Sequence, residues 1–91
     1  MQLDNRKFLK FKKAVGKIIR EYRTANTPLS LNKFAYEFDI DRGNLSKLER
    51  GEYSVRFVTI WVIAEALGIK FSEFAKKLEE ELGEDFTLID E

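Results

Sequence analysis

The chain has no cysteine and no histidine among its 91 residues. Without thiols there are no disulfides and no thiolate nucleophiles, and without either side chain there are no Cys/His zinc sites and no imidazole general bases. Carboxylates, lysine and tyrosine remain for acid–base work, and none stands in a recognisable catalytic arrangement, so no enzyme is expected. Long apolar runs are missing too. The longest one free of charge, Phe57 to Ala64, falls far short of the roughly 20 residues that span a bilayer. The basic amino-terminal stretch lacks the apolar segment of a signal peptide. The acidic run Glu79-Glu80-Glu81 with Glu84 and Asp85 lacks the ordered spacing of a cation-binding loop. These absences lead to an expectation of a cytoplasmic protein with no membrane partner, no metal and no small-molecule cofactor.

An excess of charge is also absent, since 16 Lys/Arg balance 16 Asp/Glu. Taken alone, that speaks against a partner as acidic as nucleic acid. The distribution points the other way: residues 1–56 hold 13 Lys/Arg against 7 Asp/Glu, and residues 57–91 hold 3 against 9. A basic half joined to an acidic half orients a protein toward a polyanion, although solvated helix faces account for the same counts. With 44% hydrophobic residues, the chain has the apolar surface for one globular domain and no room for a second.

The apolar residues recur with helical period. Phe8, Phe11, Val15, Ile18, Ile19 and Tyr22 follow Asp4 or Asn5 as N-cap, predicting a long first helix that breaks in the polar run Thr24 to Thr27 before Pro28. Ser30 caps a short second helix, Leu31 to Phe38, burying Phe34, Ala35 and Phe38. Asp41 caps a third through Arg50, with Leu45 and Leu48 inward and Gly51 as its left-handed terminator. A fourth spans Arg56 to Leu67, with Phe57, Ile60, Ile63, Ala64 and Leu67 inward and Gly68 closing it. A fifth spans Phe71 to Leu82, burying Phe71, Phe74, Ala75, Leu78 and Leu82, and Gly83 ends it. Residues 1–83 thus form the domain. The tail 84–91 is β-prone but too short to stand alone as a strand.

The second and third helices are joined by little more than Asp39 and Ile40. So short a connection forces a steep crossing, a helix-turn-helix. In such a unit the second helix presents its N-terminal side chains to the major groove, which is wide enough to admit it. Asp tolerates the left-handed backbone that the turn at Asp39 needs.

Here the chain resembles the phage-repressor and Cro type of helix-turn-helix proteins, also called the xenobiotic-response-element family. The likeness rests on Gly16, Ile19, Arg20 and Arg23, on Leu29-Ser30 and Phe34-Ala35, on Ile40-Asp41-Arg42, on Leu45-Ser46-Lys47-Leu48-Glu49-Arg50-Gly51, and on Ile63 to Ile69. The resemblance implies an all-α, compact five-helix domain like that of the lambda repressor, binding double-stranded DNA as a homodimeric transcriptional regulator. It also implies a structural ion pair between Arg23 and Glu49. Three departures limit any forecast of the operator: Leu31 stands where the family often has Gln, Gly43 falls on a position that commonly carries a base reader, and the loop with Thr27-Pro28 is one residue longer.

Arg42, Asn44, Ser46 and Lys47 are the base-facing candidates. Arg42 at the helix start can bind guanine O6 and N7 with two hydrogen bonds, worth about 1–3 kcal/mol of discrimination. Asn44 either takes adenine N6 and N7 or reaches back to cap its own helix at Asp41. Lys47, facing outward beside Ser46, suits a phosphate better than a base. Backbone-contact candidates are Ser30 and Leu31 at the start of the second helix, and Arg50, Tyr53 and Arg56 around the loop after the third. Arg50 alternatively complements the helix dipole, and Tyr53 is alternatively an ordinary half-buried tyrosine.

Val58, Trp61 and Val62 form a second apolar face on the fourth helix, more than one core uses, and a homodimer interface there is the expectation, with a wider core against the fifth helix or the tail as the alternative. The tail is expected to add a short strand across the two-fold axis. The reading is a small homodimeric, sequence-specific DNA-binding regulator, a repressor because no effector domain fits. The alternatives are an antitoxin or restriction–modification controller, or an interaction module of the same fold without DNA binding.

Overall fold

The computed structural model describes residues 2–90 of the chain, with side chains from Asp4 to Ile89. Asp4 starts helix α1 (Asn5–Asn26), its carboxylate accepting the Arg6 N–H at 2.8 Å and the Lys7 N–H at 3.2 Å. Those two hydrogen bonds hold its pKa below the usual carboxylate value. Four further helices follow: α2 (Leu31–Glu37), α3 (Arg42–Glu49), α4 (Phe57–Leu67) and α5 (Phe71–Leu82). The five-helix, all-α expectation holds. A two-residue antiparallel pair joins the chain ends, β1 (Gln2–Leu3) against β2 (Ile89–Asp90), with Gln2 opposite Asp90.

Several features differ from the sequence expectation, α3 and α4 each by one residue, with Arg50 and Arg56 as caps outside their helices. Helix α1 continues through Thr24–Asn26 because the Thr24 hydroxyl donates back to the Arg20 and Glu21 carbonyls, keeping those polar residues in the helix. It stops at Thr27, the residue before Pro28, which disfavours helical backbone. Helix α2 ends at Glu37, with Phe38 as its cap. The tail strand pairs with the amino terminus of its own chain, and Phe86 stacks on Phe11 at 6.4 Å, so the strand expected across a two-fold axis is already occupied within the chain.

The core is built where α1 crosses α3, α4 and α5. Ile18, Ile19, Phe34, Leu45 and Ile63 are fully buried, with Val15, Leu48, Ile60, Leu67 and Phe74 around them. Gly16 sets the approach of α1 to α3: a Cβ there would lie 2.8 Å from the Glu49 carbonyl oxygen and collide with that of Leu48. Beside it, Arg23 grips Glu49 with two hydrogen bonds of 2.8 and 2.9 Å. The pair is buried, with side-chain exposures of 10% and 5%. Arg23 also donates to the Leu29 carbonyl at 3.3 Å, tying down the loop before α2.

Some residues expected inside lie outside. Phe38 caps the exposed turn and only leans on Phe34, ring centroids 4.9 Å apart. Phe57 is exposed because Ile60 and Phe74 already fill the core beneath it, so its ring lies over Phe71 at 5.0 Å. In α5 only Phe74 is fully buried. Phe71, Ala75, Leu78 and Leu82 are half-buried, because among the described helices α5 packs mainly on α1 and α4.

Candidate nucleic-acid interface

Helix α2 ends through a left-handed residue. Asp39 has φ +55°, and the following Ile40 N–H donates to the Ala35 carbonyl at 2.8 Å, closing the turn with a six-residue loop bond. Ile40 turns toward the core. Asp41 then caps α3, its carboxylate accepting the Asn44 N–H at 2.8 Å. Three residues after α2 begins to turn, the chain is helical again on a new axis. That is the helix-turn-helix geometry.

On α3, Leu45 and Leu48 are buried, so the helix must show its other face to solvent. Arg42, Gly43, Asn44 and Lys47 are exposed there, and Ser46 is half-buried. Among the described residues, neither Arg42 nor Lys47 has an ion-pair partner. It is the main chain of Asn44 that meets Asp41, and among the described residues no hydrogen bond returns from its side chain to that cap. The side chain is therefore free to face a ligand.

Gly51 terminates α3 with φ +75°, a left-handed value that favours glycine. The Glu52 N–H donates back to the Lys47 carbonyl at 2.9 Å. This tight ending folds Arg50 back over its own helix. Its Nη1 donates to Ser46 Oγ at 2.6 Å and its Nε to Glu52 at 2.7 Å, and that bond holds the Glu52 carboxyl below its usual pKa. Ser46 and Arg50 thus engage each other in the free protein. To meet a phosphate, Arg50 must exchange Glu52 for it.

The remaining candidates divide. Ser30 caps α2, accepting the Lys33 N–H at 3.2 Å, and is exposed. Leu31 packs against the core, which leaves its main chain and not its side chain for a backbone contact. Tyr53 is half-buried against the core. Arg56 is exposed at the start of α4, where its carbonyl accepts the Thr59 and Ile60 N–H groups.

Val58, Trp61 and Val62 are exposed on α4 by 64%, 51% and 44%. The structure adds two aromatic residues that the periodicity concealed: Phe57, 71% exposed, and Phe71, which stacks on Trp61 at 5.6 Å. Phe57 shares the spacing of the buried residues, so no sequence signal separates it from them. Glu52 as the partner of Arg50 was equally hidden, because only the backbone at Gly51 brings the two together.

Among the described residues, no helix is long and apolar enough to cross a membrane, and no acidic cluster is arranged to hold a metal ion. A family model described as Helix-turn-helix (HTH_3) matches residues 19–74. Control protein C.MunI of Mycoplasma sp is 35% identical over 66 residues, covering 72% of this chain and 89% of that protein. Control protein C.BamHI of Bacillus amyloliquefaciens is 34% identical over 55 residues, 60% of this chain and 68% of that protein. Among solved structures, the restriction-modification controller protein C.AhdI from Aeromonas hydrophila has a TM-score of 0.63 and 35% identity, covering 69% of this chain and 94% of that one.

Proposed function

The chain belongs to the HTH_3 helix-turn-helix family of DNA-binding transcription regulators, and from that premise we propose that it binds duplex DNA sequence-specifically as a homodimer, placing α3 in the major groove. One observation carries this reading: the outward face of α3 presents Arg42 at its first turn and Lys47 in its last, both exposed and, among the described residues, without an ion-pair partner. Arg42, on the first turn, is placed to read a base edge, and Lys47, one turn further, to meet a phosphate. Regulation follows from occupancy, as repression where the bound site overlaps a promoter. The identity with C.MunI, C.BamHI and C.AhdI favours a role as the controller of a restriction–modification system.

The two cations separate by mutation. Arg42→Ala is expected to relax preference at one base pair per half-site, about 1–3 kcal/mol, whereas Lys47→Ala weakens all duplex sequences nearly equally. Binding-site selection with each variant checks this. An unchanged consensus with Arg42→Ala removes Arg42 as base reader.

The homodimer rests on the α4 face. Phe57, Val58, Trp61 and Val62 are large apolar residues exposed at neighbouring positions of α4, and clustered apolar exposure marks an interaction surface. Two-fold pairing through it sets two copies of α3 on successive major grooves, about 34 Å apart, which offsets the contact missing at Gly43. Trp61→Glu should weaken self-association by about thirtyfold or more, the effect of losing a buried aromatic anchor. Sedimentation at micromolar concentration reads it, and a variant that stays folded and dimeric refutes this interface.

A further inference from the structure

Helix α1 carries a second basic surface, which the helix-turn-helix does not use. Arg6, Lys10, Lys13, Lys17 and Arg20 recur at steps of four and three, which at 3.6 residues per turn sets all five within an arc of about 80° along about 21 Å of helix. All five are exposed, while Ala14, Val15, Ile18 and Ile19 bury the opposite side of α1. Four of the five precede residue 19, where the family match begins. The stripe therefore lies mostly on a part of the chain outside the matched segment.

A solvated charged face is ordinary on a helix, but this one has an informative neighbour. The backbone of Lys13 lies directly against Gly51, so close that a Cβ on Gly51 would sit 2.8 Å from the Lys13 Cα. The stripe thus adjoins the loop that carries Arg50, Tyr53 and Arg56 away from α3. Lys17 is held by Glu81 at 2.6 Å, and Arg6 lies 3.9 Å from Asp4. Among the described residues, Lys10, Lys13 and Arg20 have no ion-pair partner. Lys10 instead sits over the Phe86 ring at 5.5 Å, a contact that leaves its charge in place.

Resting on the reading of α3 given above, we propose that this stripe is a second, sequence-independent DNA contact, in which Arg6, Lys10, Lys13 and Arg20 neutralise backbone phosphates of the duplex flanking the base-read site. The length of the stripe matches about six base-pair steps at 3.4 Å each. Phosphate contacts of this kind position a protein and strengthen its binding without reading sequence. The acidic end of α5 in a second copy offers the same sign of charge, but nothing places it beside the loop after α3, whereas a duplex bound through α3 as proposed would pass that loop.

The test is the fourfold variant Arg6→Gln, Lys10→Gln, Lys13→Gln, Arg20→Gln. Glutamine keeps helix propensity and keeps the Cγ that packs on Gly51. Affinity is measured against salt on a duplex of about 40 base pairs and on one trimmed to the selected site. On the long duplex, the log–log salt slope should fall by about 0.9 for each phosphate released, near 3.6 per protomer, with affinity down on the order of tenfold or more at physiological salt. The selected consensus should not change, and the two proteins should converge on the trimmed duplex. An unchanged slope beside normal wild-type binding overturns the stripe and leaves the α3 reading intact, whereas a wild type that binds no duplex overturns both. A variant that keeps its slope but loses self-association assigns the stripe to the acidic surface of another copy, which also overturns the proposal.

Discussion

Arg23→Ala should cost about 3–5 kcal/mol, a large share of the roughly 5–15 kcal/mol that holds a domain folded. For a chain of this size that corresponds to a fall of about 15–30 °C in Tm. The reason is the carboxylate left behind. The Glu49 side chain is 5% exposed, and its two oxygens are taken by Arg23, so deleting the guanidinium strands a poorly hydrated carboxylate. The pair also joins α1 to α3 and, through the Leu29 carbonyl, to the loop before α2, so the loss should be cooperative and should loosen the helix-turn-helix itself. Hydrogen bonding to Glu49 raises the already high pKa of Arg23, which keeps the guanidinium charged across all ordinary pH. Arg23→Lys should recover only part of the loss, because an ammonium cannot make the two-pronged contact. The double replacement Arg23→Met with Glu49→Leu should cost less than Arg23→Ala, since it removes both charges together. Thermal unfolding followed by circular dichroism checks the series. An Arg23→Ala protein melting within a few degrees of wild type would mean that the pair does not hold these elements together.

On a duplex trimmed to the selected site, which the α1 stripe does not reach, affinity should fall by about a thousandfold between 50 and 200 mM salt for a dimer contacting six phosphates, three per protomer. Lys47, Arg50 and Arg56 supply the three cations, each exposed, the first two at the end of α3 and Arg56 across the following loop at the start of α4. The zero net charge of the chain does not soften this response, because counterion release depends on the phosphates contacted and not on total charge. Fluorescence anisotropy of a labelled duplex across a salt series measures the slope. A flat response, or no binding at low salt, would favour an interaction module that keeps the fold without the DNA contact.

What was legible in the sequence was mostly local. Asp4, Ser30 and Asp41 cap their helices because a short side-chain oxygen at that place satisfies otherwise orphaned N–H groups. Asp39, Gly51 and Gly68 sit at positive φ because the chain there must turn left-handed. These rules act within a few residues, and they placed the helix-turn-helix and the outward residues of α3. Burial at the rim was not legible. Phe57 has the same spacing as Ile60 and Ala64, and only the positions of Phe71 and Phe74 decide that it lies on the surface. Nor was the closure of the chain ends, where Lys7 reaches Thr87 and the Asp4 N–H reaches the Leu88 carbonyl, since no local pattern links residues that far apart. At the site, residue type and helix placement were readable, but the grip of Ser46 and Glu52 on Arg50 depends on the backbone at Gly51.

Methylation protection with dimethyl sulfate on the selected duplex tests the central claim most directly, because the reagent attacks guanine N7 in the major groove and adenine N3 in the minor groove. With α3 in the major groove and Arg42 on guanine, bound protein should protect guanine N7 in two patches about one helical turn apart on one face of the duplex. Minor-groove adenines between them should stay reactive. Arg42→Ala should restore reactivity at one guanine in each patch and leave the others shielded. Protection confined to adenine N3, or full duplex occupancy with every guanine N7 still reactive, would contradict the placement of α3 and the reading built on it.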